Sequence, residues 1–299
     1  MPSFLPALAM VAALGIGTGS AWADDPAAAG ILRTNHAELL GELGSNQFGK
    51  PLALRSKEAS DGVAGDIYAV MDHPFATTAA ALSRPENWCE ILILHINTKY
   101  CRPAAGGSVL NVSVGKKTEQ SLEEAYAVAF AYRVAAQSET YLQVRLDAEK
   151  GPMGTRNYRI AFEAIPMADG KTFIHLAYAY GIGAMGQFAM QAYLGTGGSD
   201  KVGFTIAPAA KGRSPQHIGG MRGVVERNTM RYYLAIEAFL GSLSTPPGAQ
   251  LEKRLHDWFA GTERYARQLH EMKQAEYLAM KRREHQRQQA PQPGIAALR

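Results

Sequence analysis

The sequence lacks the features that most often identify a protein's chemistry. Only two of its 299 residues are cysteine, which excludes a disulfide-dense scaffold and a four-cysteine zinc site. It contains no H-E-x-x-H and no G-x-S-x-G motif, so it has neither a zincin helix nor a nucleophile elbow. After the N-terminus, no apolar stretch approaches the ~20 residues that a membrane-spanning helix needs. The 46% of hydrophobic residues indicates instead a globular protein with a substantial core.

The N-terminus has the pattern of an export signal. An apolar stretch over residues 4–16 leads through small residues to Ala21-Trp22-Ala23, which fits the small-x-small rule of a signal-peptidase site. A membrane anchor would need a longer apolar run, and Pro6 interrupts this one. We therefore expect residues 1–23 to be a signal peptide cleaved after Ala23, and the mature protein to be periplasmic or secreted.

Export would place the two cysteines, Cys89 and Cys101, in an oxidising compartment. An isolated pair with eleven residues between its members forms a disulfide there more often than a metal site. The alternative is a zinc ligand set of Cys89, His95 and Cys101, but no second ligand pair follows. We expect the disulfide, with no metal, and about 2–3 kcal/mol of stabilisation from closing so short a loop.

Positive charge is concentrated at the C-terminus. Residues 251–299 hold ten Lys and Arg against six Asp and Glu, which accounts for the whole net charge of +4, whereas residues 24–250 hold 21 of each. The body therefore has no charge excess for binding a nucleic acid. The basic tail is either a solvated helix face or a contact for an acidic membrane surface or an acidic partner.

Hydrophobic periodicity predicts both helices and strands in the first half of the chain. A helix is expected over residues 31–43, a strand over residues 66–71 and a second helix over residues 74–82, which begins at Pro74. Residues 88–100 and 109–114 are expected to pair as a hairpin. Large and small side chains then alternate over residues 126–134, and we expect both faces of this strand to be covered.

Tight turns join the strands that follow, which predicts an antiparallel meander because parallel strands need long crossovers. Its further strands are expected over residues 141–148, 156–165 and 171–180. A short helix over residues 187–194, a short strand over residues 201–206, a long amphipathic helix over residues 224–243 and a charged helix over residues 249–289 complete the pattern.

Gly181, Gly183 and Gly186 match the G-x-G-x-x-G spacing of dinucleotide-binding loops. That function requires parallel βαβ units, whereas these glycines end an antiparallel meander. We interpret them as residues that let a strand turn into a helix, and we expect no cofactor.

Charged residues stand where apolar ones would be expected, on the strands of the meander and in the first turns of the long helix. Buried charges must be paired or they cost several kcal/mol each. Two interpretations stay open: exposed ion pairs on the open side of the sheet, or polar anchors for a ligand head group beneath the helix. The residues are Arg145, Arg159, Glu163 and His175 on the strands and Arg222, Glu226, Arg227 and Arg231 on the helix.

The order of elements resembles that of the START and Bet v 1-like superfamily. The resemblance rests on the helix over residues 74–82 with Trp88 after it, the meander over residues 126–180 and the helix over residues 224–243. It implies an α+β helix-grip fold, in which a curved antiparallel sheet wraps a long C-terminal helix around an apolar cavity. The domain would span residues 64–246, after an N-terminal helical or linker segment over residues 24–63 and before a charged helical extension over residues 247–299.

The resemblance also implies binding or transfer of a lipid or other hydrophobic small molecule in that cavity. We expect the ligand to be contacted by Phe130, Tyr132, Arg145, Arg159, Phe162, Glu163, Phe173, His175, Tyr178, Tyr180, Arg227, Arg231, Tyr232 and Ile236. Two other functions stay open. One is an enzyme, a cyclase or hydrolase with His175, Glu163 or a tyrosine as general acid or base, and the other is a scaffolding protein that acts through residues 249–289. No residue is assigned as catalytic.

Overall fold

The computed structural model describes residues 26–183, 201–208 and 214–290. The expected signal peptide over residues 1–23, Gly186 and the helix expected over residues 187–194 lie outside them. The helices are α1 (Pro26–Gly44), α2 (Phe75–Leu82), α3 (Pro85–Leu92), α4 (Gly220–Ser242), α5 (Pro247–Glu263), α6 (Ala266–Leu269) and α7 (Gln274–Gln289). The strands are β1 (Leu52–Ala59), β2 (Gly62–Met71), β3 (Thr98–Pro103), β4 (Val109–Val114), β5 (Tyr126–Gln137), β6 (Leu142–Lys150), β7 (Thr155–Pro166), β8 (Thr172–Ile182), β9 (Ile206–Ala207) and β10 (Gln216–His217).

Eight strands form one antiparallel sheet in the order β1-β2-β8-β7-β6-β5-β4-β3. Strands β3 to β8 are a meander in which each strand pairs with the next, which confirms the predicted meander. The hairpin β1-β2 joins it through the pairing of β2 with β8. Strand β1 was not predicted, and the short strand expected over residues 201–206 is reduced to the two residues of β9.

The strand expected over residues 88–100 is wrong in its first half. Pro85 occupies the first turn of α3, and Glu86 is favourable at a helix N-terminus. Helical spacing then buries Trp88, Ile91 and Leu92 together. The chain becomes extended only at β3, which pairs with β4 as the hairpin prediction required.

The two faces of the sheet are covered by different elements. Helix α4 packs on the inner face against β1, β2 and β8, and it also contacts α3. Helix α1 packs on the outer face against β1 and β7. The outer face of β5 is left to solvent, where Ala127, Ala129 and Ala131 are exposed, so the expectation that both faces of this strand are covered is wrong.

A glycine sets how closely α4 approaches the sheet. A Cβ atom added to Gly65 of β2 would lie 2.5 Å from Oγ1 of Thr229 on α4, which is too close for any real side chain. The absence of a side chain therefore lets the helix lie directly on β2. The sheet with its long C-terminal helix confirms the predicted α+β helix-grip fold.

The C-terminal helices belong to the same core as the sheet. Leu255, Trp258 and Tyr277 are buried in it. The charged helix expected over residues 249–289 is broken into α5, α6 and α7, and Glu284 of α7 pairs with two fully buried lysines, Lys99 of β3 and Lys281. Residues 247–290 thus pack on the body rather than extend from it.

The predicted disulfide is present and joins Cys89 of α3 to Cys101 of β3. Both sulfurs are used in this bond, so the alternative zinc set with His95 does not form. In the described residues no helix is long and apolar enough to cross a membrane, and no cluster of His, Cys, Asp and Glu has the arrangement of a metal site.

Candidate functional site

A cavity of about 550 Å³ lies between the sheet and the first half of α4. Its floor is the inner face of β4, β5, β7 and β8. One wall is α4, and the others are the turn after α3, the loop after β4 and the turn before β7. The lining residues are Leu92, His95, Asn97, Thr98, Val112, Val114, Gly115, Lys116, Lys117, Gln120, Glu124, Tyr126, Val128, Phe130, Pro152, Met153, Thr155, Tyr158, Tyr178, Tyr180, Val224, Arg227, Asn228, Arg231 and Tyr232.

The floor of the cavity is apolar because every second residue of each strand faces inward, and on β4 and β5 these inward-facing residues are apolar. On β4 and β5 this gives the medium-sized side chains of Val112 and Val128, with Phe130 beside them. These three side chains give the floor an apolar surface.

Four tyrosines line the cavity where α4 faces β7 and β8. The ring of Tyr158 stacks on that of Tyr180 at 5.2 Å between centroids, and Tyr178 meets Tyr232 of α4 edge-on at 5.1 Å. Burial raises the pKa of Tyr178, Tyr180 and Tyr232, so their hydroxyls stay protonated at neutral pH. They offer aromatic faces together with neutral hydrogen-bonding groups.

Part of the cavity lining is basic. Arg227 and Arg231 of α4 are buried there, and Lys117 reaches in from the loop after β4. Glu271 accepts hydrogen bonds from Lys117 at 2.6 Å and from Arg231 at 2.8 Å, and it lies 3.4 Å from Nζ of Lys201. Three cations thus share this single carboxylate.

The electrostatics of this basic part follow from burial and crowding. Burial lowers the pKa of Lys117; Glu271 opposes this effect, and the charges of Arg231 and Arg227 reinforce it. Burial raises the pKa of Glu271, but the three cations together lower it by more, so the pKa lies below its usual value. Glu271 is therefore ionised at neutral pH.

His95 lies in the same part, on the turn after α3. Its ring stacks on Tyr232 at 4.9 Å, and the residue is only 4% exposed. Burial lowers its pKa well below 6.5, and the charges of Arg231 and Lys281 lower it further, so the ring is neutral. Nδ1 accepts a hydrogen bond from the backbone N–H of Asn97 at 3.2 Å, which places the ring proton on Nε2.

The structure brings six of the expected ligand-contacting residues to the cavity: Phe130, Tyr178, Tyr180, Arg227, Arg231 and Tyr232. Three others are buried in the core without lining it. Phe162 packs against Trp88 of α3, Tyr132 points its hydroxyl at the carbonyl of Leu82, and Ile236 lies deeper in the core.

The remaining five expected contacts lie on the outer face, on the far side of the sheet from the cavity, so their expected placement is wrong. Alternation along each strand turns them away from their apolar neighbours. Phe173 packs beneath α1, and Arg159 and Asp147 form an exposed pair at 3.8 Å. The outward-facing residues are Arg145, Arg159, Glu163, Phe173 and His175.

His175 is the centre of a polar cluster on this outer face. Its Nδ1 lies 2.9 Å from Glu163 on β7, and its Nε2 lies 2.9 Å from Asp66 on β2. The ring stacks on Tyr68 at 4.3 Å, and Tyr141 donates a hydrogen bond to Glu163. Burial alone would lower the pKa of His175, but the bonds to the two carboxylates outweigh it and raise the pKa from 6.5 to about 9. Neither His175 nor Glu163 reaches the cavity, so neither can be a general acid or base there.

Several lining residues were not singled out from the sequence. Val112, Val128 and Tyr158 could have been found, because each has the parity of an inward-facing neighbour on its own strand. Asn228 lies one helical turn before Arg231 and Tyr232, so it shares their face of α4. Lys117 lies in a loop and carries no periodic signal.

No protein-family model and no curated protein sequence matches this chain. Among solved structures, it is similar to a norcoclaurine synthase point mutant from Thalictrum flavum in complex with a transition-state analogue, with a TM-score of 0.33 and 12% identity over 47% of this chain and 89% of that one. It is also similar to human StAR-related lipid transfer protein 5, with a TM-score of 0.31 and 10% identity over 56% of this chain and 90% of that one. A third is Ara h 8.0201, with a TM-score of 0.32 and 12% identity over 64% of this chain and 99% of that one.

The chain has the α+β helix-grip fold described above. At these identities and TM-scores the comparisons assign it to no family. What its cavity binds must therefore be argued from its own residues.

Proposed function

We propose that this protein binds, and transfers, a lipid or other hydrophobic small molecule in the cavity between the sheet and α4. The observation that carries the proposal is the cavity itself: about 550 Å³ of space with an apolar floor between the sheet and α4, open to the surface beside Tyr126 and Met153. Ligand pockets for small molecules typically occupy ~300–1,000 Å³, whereas ordinary protein cores contain few voids larger than a water molecule.

The chemistry of the wall supports an apolar guest. Burying apolar ligand surface against Val112, Val128 and Phe130 would stabilise the complex by roughly 25 cal/mol per Å². The tyrosine faces add flat surfaces against which a ring or a chain can pack. Since these side chains already lie in the folded core, little conformational entropy is lost when the ligand binds.

We also propose that the protein acts in the periplasm or outside the cell. The apolar segment before Ala23 and the disulfide between Cys89 and Cys101 support this location. N-terminal sequencing of protein recovered from the periplasm or medium should begin at Asp24. Full-length protein retained in the cytoplasm would contradict the proposal.

Contact with an acidic membrane surface through the C-terminal helices stays a prediction. Two exposed arginines of α7 are already paired, Arg282 with Glu252 and Arg283 with Glu119. Co-sedimentation with vesicles containing anionic lipid, compared with neutral vesicles at the same ionic strength, would test it.

The binding proposal is tested by filling the cavity. Val128 faces it, and the adjacent Ala129 faces solvent on the other side of β5, so Val128→Phe and Ala129→Phe add bulk at neighbouring positions with opposite orientation. Binding of 1-N-phenylnaphthylamine to delipidated protein, followed by its fluorescence, should weaken at least about tenfold in Val128→Phe.

Ala129→Phe should bind the dye as the unmodified protein does. Native mass spectrometry of the purified protein should in addition reveal a bound lipid that organic extraction removes. Equal dye affinity in both variants, or the absence of binding and of any co-purified lipid, would overturn the proposal.

A further inference from the structure

This inference rests on the proposed function and concerns the head group of the ligand. It starts from a buried hydrogen-bond donor in the basic part of the cavity. Nε2 of His95 carries the ring proton, yet it makes no hydrogen bond of normal length and angle with any of the described residues, although Asn228 lies close. A buried donor without a partner costs about 1–3 kcal/mol, so such groups usually have a function or a bound partner.

Two cations lie near His95, together with Asn228, whose Oδ1 accepts a hydrogen bond from Arg231 at 3.3 Å. Arg231 and Asn228 follow His95 along the wall formed by α4, and Lys117 stands across from them on the loop after β4. Arg231 and Lys117 both meet Glu271, which Lys201 also approaches. Glu271 therefore pairs with three cations here, whereas Val112 and Val128 on the floor carry no charge.

A ligand that matches both parts has a hydrophobic body and an oxygen-rich anionic head. We propose that the cavity takes an amphipathic anion, with its carboxylate or phosphate oxygens held by His95 Nε2–H, Arg231 and Lys117 and its apolar body on the floor formed by β4 and β5. The head accepts the hydrogen bond that His95 leaves unused and shares the cations with Glu271. The body displaces water from the apolar floor.

The order of these groups along the cavity gives the ligand a direction. The ring of His95 stacks on Tyr232, which contacts Tyr178, and Tyr178 in turn contacts the stacked rings of Tyr180 and Tyr158. A neutral alcohol of the same length would fill the floor equally well, and its hydroxyl could accept the hydrogen bond from His95, but it would carry no charge to pair with Arg231 and Lys117. Selectivity for the anion therefore comes from the head, and affinity for the chain comes from the floor.

The test compares three ligands with the same sixteen-carbon chain: hexadecanoate, hexadecyl phosphate and hexadecanol. Each is titrated into delipidated full-length mature protein to displace 1-N-phenylnaphthylamine, below the concentration at which it forms micelles. At least one anion should bind about tenfold or more tightly than hexadecanol, since hydrogen bonds to charged groups are worth more than neutral ones. Which anion binds more tightly distinguishes a carboxylate head from a phosphate head.

Two variants locate the head. His95→Phe keeps a ring that can stack on Tyr232 but removes Nε2–H, and Lys117→Gln removes one cation from a partly exposed side chain. Each should reduce the preference for the anion several-fold while hexadecanol affinity changes little. Lys57→Gln, which removes an exposed cation from β1, is the control and should leave the preference unchanged.

If His95→Phe does not fold, Lys117→Gln alone decides. Equal affinity for the anions and hexadecanol, or a preference that neither variant changes, would overturn the head-group assignment while leaving the cavity proposal intact. If none of the three ligands displaces the dye and the dye itself does not bind, the proposed function fails instead.

Discussion

His175 provides a stability test that is independent of any ligand. Its ring lies between Glu163 and Asp66 on the outer face and joins the neighbouring strands β7, β8 and β2 through two hydrogen bonds of 2.9 Å. The ring is largely buried, with 15% of its side chain exposed. His175→Gln removes the positive charge, and it leaves the two carboxylates facing each other without a cation.

The expected size follows from the pKa of His175. The pKa rises from 6.5 to about 9 on folding, and each pH unit of such a difference corresponds to about 1.4 kcal/mol, so the protonated ring stabilises the fold by roughly 3 kcal/mol at most. Because the folded-state pKa is the higher one, this contribution is complete below pH 6.5. It is lost progressively as the pH rises through about 9.

The assay is urea unfolding of the original protein and of His175→Gln, followed by circular dichroism at several pH values from 6 to 10. The free energy of unfolding should differ most near pH 6, and the difference should shrink steadily toward pH 10. His270→Gln is the control, because His270 forms an exposed pair with Glu263 and should cost less than about 1 kcal/mol. A difference that is constant from pH 6 to pH 10 would refute the assignment of a charged His175.

Three further substitutions test the packing. Replacing both Cys89 and Cys101 with Ala should lower the free energy of unfolding by about 2–3 kcal/mol, and an equal value with and without the cysteines would contradict a formed disulfide. Glu284→Gln leaves Lys99 and Lys281 buried without their shared counter-charge and should cost about 3–5 kcal/mol in urea unfolding, whereas Glu119→Gln at the exposed pair with Arg283 should cost under about 1 kcal/mol. Gly65→Ala pushes a methyl group against Thr229 and should lower the thermal midpoint by several degrees, consistent with about 1–3 kcal/mol of overpacking, while Gly41→Ala, where the added methyl group meets nothing within 4 Å, should not destabilise the protein.

The order of elements was predictable from the sequence because it depends on local patterns. Alternation defines β5 to β8, and an apolar face defines α4. Strand β1 was not predicted because its first three residues are all buried and the others, apart from the half-buried Ser56, are exposed, so it has little alternation. Helix α3 was not predicted because, over only eight residues, its Trp, Ile and Leu residues fit a buried strand equally well.

The site was only partly predictable for a different reason. Parity within a strand separates the faces: on β8, Phe173 and His175 point opposite to Tyr178 and Tyr180, so these four could not line one cavity. Grouping them by residue type rather than by parity produced the error. Which face carries α4, and whether space is left beneath it, depends on long-range packing that no local pattern contains.

The position of the cavity follows from how the inner face is shared among the helices. Helix α4 reaches β2 closely because Gly65 has no side chain, and Trp88 of α3 covers Phe162 on β7. The end formed by β4 and β5 is covered by neither. There the C-terminal helix α7 holds the turn after α3 in place, since Tyr277 donates to the carbonyl of Leu94 and Lys281 donates to the carbonyls of His95 and Thr98. The C-terminal helices thus support one side of the cavity. A ligand that binds His95 should also stabilise the packing of α7 on the body, because α7 binds the five-residue segment between α3 and β3 that carries His95.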